Sequence, residues 1–206
     1  MRVTIYAGSS SGNRPAFAHE AAAFARRLAL AGADIVYGGG SVGLMGVVAD
    51  AALAAGGKVI GVIPTSLADA EVAHTSLTEL HVVDTMQERK QLMETLGDCF
   101  VAMPGGVGTL EETFEVWAAL ILGHHGKPVT LLNTENYWSR LLSLATKAAH
   151  YGFMSPGEST SLLPVRDADE LLALMDDWTP PPPRWQRPPA ASPAVAAVPT
   201  VLTAAG

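Results

Sequence analysis

The chain has 206 residues, 49% of them hydrophobic and only 16% charged, with a formal net charge of −7. That length suits one domain with a sizeable core, and the acidic balance excludes a general nucleic-acid or anionic-membrane surface, so any phosphate must be held locally by loops and one or two cations. Cys99 is the only cysteine; this excludes an intrachain disulfide and a thiolate metal cluster, and its place in an apolar strand reads as core.

The opening "MRVTIYAGSSSG" enters a strand at 2–7 and then a glycine turn. It lacks the apolar centre of a signal peptide, and no apolar run reaches the ~18 residues of a membrane span, so a cytoplasmic protein is expected. Gly8, Ser9 and Ser10 offer backbone and hydroxyl donors, and Asn13 and Pro15 start a helix over 15–31. A strand at 33–37 ends in "YGGGSVGLMG", which leads into a helix over 43–55. Gly38, Gly40 and Gly43 have the G-x-G-x-x-G spacing of a dinucleotide turn. A full NAD site also needs an acid at the end of the next strand, but the strand at 58–63 runs into "GVIPTS" with none. The turn remains a candidate for phosphate or nucleotide, with Gly39 and Gly40 as contacts.

After a strand at 79–83 comes "DTMQERKQLMETLGD", a helix over 85–96 carrying Arg89 and Lys90, with Met86, Leu92, Met93 and Leu96 as apolar contacts. Arg-Lys pairs inside helices are usually solvated. This helix, however, feeds a strand at 98–103, and its first half should lie near the ligand edge. That strand opens into "VAMPGGVGTLEETFEVW". Gly105, Gly106 and Gly108 allow close backbone approach, and Thr109 is an expected N-cap for a helix over 109–122 whose positive end suits an anion. Glu111 and Glu112 fall in the first turn, beside that anion cradle. Carboxylates stabilise helix starts anyway; the alternative is that one does chemistry on what the glycines hold. From Val116 to Leu122 the helix is apolar all round, which predicts burial on both faces, one on the sheet and one against a second subunit. A strand at 127–132, a helix over 135–151, a short strand near 162–165 and a helix over 167–177 follow. From Thr179 the Pro/Ala-rich sequence has no period, so residues 1–178 are expected to form the domain and 179–206 a disordered tail.

This alternation predicts an α/β fold, a Rossmann-like, doubly wound parallel sheet with right-handed crossovers and a ligand at the carboxyl ends of the strands. Other chemistries fit less well. His124 and His125 lack a third ligand at usable spacing, so no metal is expected. Ser9, Ser10 and Ser11 have no partnered His and Asp, and no Walker lysine follows the glycines.

"MQERK" followed by "PGGVGTLEE" closely resembles the LOG family, the cytokinin riboside 5′-monophosphate phosphoribohydrolases, whose signature is PGGxGTxxE and whose members have also carried the label lysine decarboxylase. The resemblance spans residues 1–178. It implies a homodimer or larger assembly that hydrolyses the N-glycosidic bond of an adenine-type nucleotide, and no cofactor is expected. It places the catalytic pair on Arg89 and Glu112, and nucleotide contacts on Glu71, Lys90, Gly106, Val107, Gly108, Thr109, Leu110 and Glu111. A threonine that plant members use further along the helix is Ala118 here. With Gly8, Ser9, Gly39, Gly40, Met86 and Gly105 from the turns and the helix, these are the candidate substrate-binding residues. Two other readings stand beside it: a non-catalytic nucleotide-binding protein on the same fold, and a broader purine nucleotide 5′-monophosphate nucleosidase.

Overall fold

A computed structural model describes residues 1–68 and 73–186. It contains seven parallel strands: β1 (Arg2–Tyr6), β2 (Asp34–Tyr37), β3 (Val59–Pro64), β4 (Glu79–Val83), β5 (Cys99–Ala102), β6 (Val129–Leu132) and β7 (Leu162–Val165). Their order is β4-β3-β2-β1-β5-β6-β7. The chain winds outward from β1 to β4, then crosses back to place β5 on the other side of β1. That reversal opens a crevice at the carboxyl ends of β1 and β5, where open parallel sheets bind ligands.

Side chains alternate across each strand and build two cores. Val3 and Ile5 of β1 and Ile35 and Tyr37 of β2 face α1 (Pro15–Leu30), α2 (Gly43–Ala54) and α8 (Ala168–Asp177). Tyr6, Val36 and Phe100 face the other way, onto Met93 of α4 (Met86–Leu96), Val116, Trp117 and Leu120 of α5 (Val107–Leu122), and Ala145 of α6 (Ser139–His150). All residues of β3, β5 and β6 are buried, which is why those strands read as unbroken apolar runs. Two four-residue helices, α3 (Thr65–Ala68) and α7 (Pro156–Ser159), complete the set; both are too short to leave a periodic pattern. Among the described residues, no helix is long and apolar enough to cross a membrane.

Two local expectations differ from what forms. Helix α5 starts at Val107, with Gly106 as its N-cap and no side-chain cap bond. Thr109 lies inside the first turn, packed so tightly on Gly105 that a Cβ there would fall 2.2 Å from its hydroxyl. Helix α6 starts at Ser139, because Glu135 and Asn136 have φ of 53° and 59° and cannot continue a right-handed helix. Helix α5 buries Val116, Trp117 and Leu120 and leaves Phe114 42% and Leu122 41% exposed, so the face expected to meet a second subunit is uncovered within one chain.

The segment expected to be free from Thr179 instead continues along the body as far as Gln186. Trp178 Nε1 donates to the Gly126 carbonyl at 2.7 Å, Pro183 sits over Gly123, and Arg184 lies 3.7 Å from the carboxylate of Glu158, a side chain only 4% exposed. Residues 187–206 of the expected tail lie outside the described residues. A chain ending at Trp178 should therefore be less stable than one ending at Gln186, because a buried carboxylate loses its cation. At ~1–2 kcal/mol for such a loss and ~2–4 °C per kcal/mol at this size, the melting temperature should differ by roughly 2–8 °C in thermal denaturation. Identical melting curves would show that this strap adds nothing.

Candidate active site

The crevice at the switch point holds a cleft of about 350 Å³. Gly8 and Ser9 from the end of β1 form one wall, and Gly106, Val107, Gly108 and Thr109 from the start of α5 form another. The first N–H groups of a helix have no partner within it, and they carry the positive end of its dipole. Met86 and Arg89 of α4 and Glu111 and Glu112 of α5 complete the polar lining, with Met45 and Leu67 as apolar neighbours.

Arg89 is 6% exposed. Its Nε donates to the Val62 carbonyl at 3.1 Å and its Nη2 to the Gly38 carbonyl at 3.2 Å, so the ends of β2 and β3 hold it by backbone alone. Nη1 sits 3.7 Å from the sulfur of Met86. A guanidinium carries five N–H donors; two are committed to carbonyls and a third approaches the Met86 sulfur, which fixes its orientation. A Cβ on Gly38 would fall 1.9 Å from Nη2; this glycine is the clearance that lets the arginine dock.

Glu112 is 8% exposed, one turn into α5. Burial first, and then the negative charge of Glu112, push the Tyr6 phenol well above its ordinary value. Tyr6 therefore stays a neutral hydroxyl near the carboxylate. Two buried groups of opposite charge thus share one cleft with a helix N-terminus: the carboxylate on α5 and the guanidinium on α4.

The remaining candidates sort by place. Lys90 turns from the cleft lining to Glu111 at 2.5 Å and Glu115 at 2.9 Å. Burial alone would lower its pKa, but the hydrogen bonds to those carboxylates outweigh this and raise it. Leu110 packs into the core under α5. Gly39 and Gly40 support the site from behind. The Gly39 carbonyl accepts from the His74 N–H at 3.0 Å, and the Gly40 carbonyl accepts from the Tyr37 hydroxyl at 3.1 Å. The G-x-G-x-x-G turn has a structural use as well: the Leu44 and Met45 N–H groups at the start of α2 donate to the Gly8 carbonyl. Gly43, with φ of 61°, lets α2 press onto the backbone of Ser9 and Ser10. Gly105 supports the start of α5 through Thr109. Glu71 lies outside the described residues. His125 donates to the Val116 carbonyl at 2.9 Å near the end of α5, with its pKa lowered chiefly by burial.

Sequence reasoning missed Gly38 and Val62 as the seat of Arg89, because they act through carbonyl groups that every residue carries. It also missed Met45 and Leu67, which look like any other core residue.

A parallel sheet wound in this order, with glycine loops at its switch point, defines a Rossmann-like protein. A family model described as "Possible lysine decarboxylase" matches residues 45–175. The chain belongs to this family, the LOG family of the PGGxGTxxE signature. It is 46% identical over 174 residues to the cytokinin riboside 5′-monophosphate phosphoribohydrolase of Rhodococcoides fascians, covering 84% of this chain and 88% of that one. It is 44% identical over 179 residues to the probable cytokinin riboside 5′-monophosphate phosphoribohydrolase LOGL9 of Oryza sativa subsp. japonica, covering 87% and 79%. Among solved structures, the molybdenum cofactor binding protein from Rippkaea orientalis superposes with a TM-score of 0.64 at 21% identity, covering 85% of this chain and 95% of that one. At that identity the likeness supports the fold alone.

Proposed function

We propose that the chain is a phosphoribohydrolase that cleaves the N-glycosidic bond of cytokinin riboside 5′-monophosphates, and of AMP, to free base and ribose 5-phosphate. The observation that carries this reading is the buried Glu112 carboxylate in one cleft with the backbone-anchored Arg89 and the N-terminus of α5. The activity named for relatives at 46% and 44% identity supports it.

The chemistry follows from the arrangement. As the bond from C1′ to the base nitrogen breaks, positive charge develops on the ribose ring. The Glu112 carboxylate stabilises that charge and accepts a proton from the water that attacks C1′; the departing base takes up a proton from solvent at its nitrogen, and Glu112 returns its own to solvent, so that one water is consumed per bond broken. The 5′-phosphate is held apart from the carboxylate, at the N–H groups of residues 106–109, so cradle and carboxylate serve opposite ends of ribose 5-phosphate. Arg89 supplies a cation of fixed orientation at the cleft, and Met86 beside it offers an apolar contact to the nucleotide. Glu71 and Lys90 belong to the same substrate-binding set, with Lys90 steering Glu111.

Amino-acid decarboxylation with pyridoxal phosphate needs a lysine in the cleft to carry the cofactor as a Schiff base. Lys58, Lys90, Lys127 and Lys147 are the four lysines of the chain, and none belongs to the cleft lining. The uncovered face of α5, with Phe114 and Leu122 exposed, supports assembly as a homodimer, working in the cytoplasm on a nucleotide. The test is incubation with AMP and with isopentenyladenosine monophosphate, followed by chromatography for free base and ribose 5-phosphate. Absence of free base from both substrates would leave the nucleotide-binding reading in its place.

A further inference from the structure

On the far side of Gly8 and Gly106 lies a second cleft of about 280 Å³, lined in part by Phe17, Gly105 and Tyr137. The Tyr137 hydroxyl donates to the Gly105 carbonyl at 2.5 Å. Tyr137 is itself held in place. Its ring packs edge-on with Phe17 and with Trp138, at centroid separations of 6.1 and 4.9 Å. The two residues before it, Glu135 and Asn136, occupy the left-handed region at φ of 53° and 59°. Non-glycine residues rarely adopt that conformation, and it persists only where surrounding contacts enforce it. Here Arg14 pairs with Glu135 at 2.6 Å, and the Trp138 N–H donates to Asn133 Oδ1 at 2.8 Å. A strained turn, fastened at several points, thus presents one hydroxyl to one carbonyl of the glycine loop.

That carbonyl belongs to the peptide between Gly105 and Gly106. A peptide flanked by two glycines has little orientation of its own, because neither neighbour has a Cβ to restrict its rotation. No peptide bond among the described residues is cis, so the Gly105 C=O and the Gly106 N–H point in opposite directions in one plane. We infer that Tyr137 is a positioning residue for the phosphate loop: by holding the Gly105 carbonyl on its own side, it aims the Gly106 N–H at the anion in the catalytic cleft. With the hydroxyl gone, the peptide is free to rotate its carbonyl toward the phosphate, replacing a donor by a repelling acceptor. The inference rests on residues 106–109 holding the phosphate, as proposed above.

The test is binding of ribose 5-phosphate by titration calorimetry, which needs no turnover. Tyr137→Phe keeps the ring contacts with Phe17 and Trp138 and removes only the hydroxyl. Its dissociation constant should rise about tenfold, the lower end for losing one charge-assisted hydrogen bond, with the melting temperature unchanged. Phe17→Leu, which loosens the packing but leaves the hydroxyl, should bind as the wild type does. Unchanged affinity in Tyr137→Phe overturns the inference, as does an equal loss in Phe17→Leu, which would assign the effect to packing. A wild-type chain that binds ribose 5-phosphate yet releases no base from AMP retires the hydrolase reading and leaves this one standing.

Discussion

Glu112→Gln should abolish most turnover of AMP while nucleotide affinity stays within a few-fold. The substitution preserves the size of the side chain but removes both its charge and its ability to take a proton. Loss of a positioned acid or base typically costs ~10²–10⁴ in rate, and here the same group also faces the positive charge that develops on the ribose. Ground-state binding depends on the N–H groups of α5 and on Arg89, which the change leaves in place, so the loss should fall on kcat rather than on affinity. Single-turnover kinetics with an independently measured Kd separates the two. A Gln variant working near the wild-type rate would remove Glu112 from the mechanism.

The second large effect is discrimination by phosphate. Adenosine should be almost inert where AMP is cleaved, with kcat/KM lower by ~10²–10⁴. The estimate takes two charge-assisted hydrogen bonds at the start of α5, roughly 1.5–3 kcal/mol each, and converts their sum at ~1.4 kcal/mol per decade. The overall charge of −7 gives no general attraction for a nucleotide, so the preference must come from these local groups. Comparable rates on AMP and adenosine in the same assay would describe an ordinary nucleosidase and would detach the glycine loop from phosphate binding.

Much of this molecule was legible in its residues because the relevant physics is local. Buried parallel strands are apolar along their whole length, and Gly8, Gly38 and Gly105 mark where three of them stop. The order of elements followed from those stops, whereas the choice of Arg89 and Glu112 rested on the resemblance carried by "MQERK" and "PGGVGTLEE". What escaped depends on packing and on contacts between side chains that residue type alone does not announce. Thr109 is a residue type favoured at helix caps, yet it packs on Gly105 two positions inside the helix. Asn136 is a residue type that tolerates a left-handed backbone, but Glu135 carries no signal for one, and Arg14 and Asn133 help enforce the turn. The strap through Arg184 sits in a proline-rich stretch that looks unstructured, and its partner Glu158 is 26 residues upstream. Glycine spacing alone also overstated the second turn, whose helix N–H groups donate to the Gly8 carbonyl.

The seat of Arg89 bears on how this site can diversify. Its two fixed bonds go to main-chain carbonyls at the ends of β2 and β3, so its anchorage is a property of the sheet and does not depend on any neighbouring side chain beyond the space left by Gly38. Met45 and Leu67, which share the cleft with it, are then free to change size without moving the cation, whereas Met86 touches the guanidinium through its sulfur. Substrate preference can drift by substitution at Met45 and Leu67 while the reacting groups stay where they are, and an engineer seeking a new base specificity would begin there and leave Gly38 untouched.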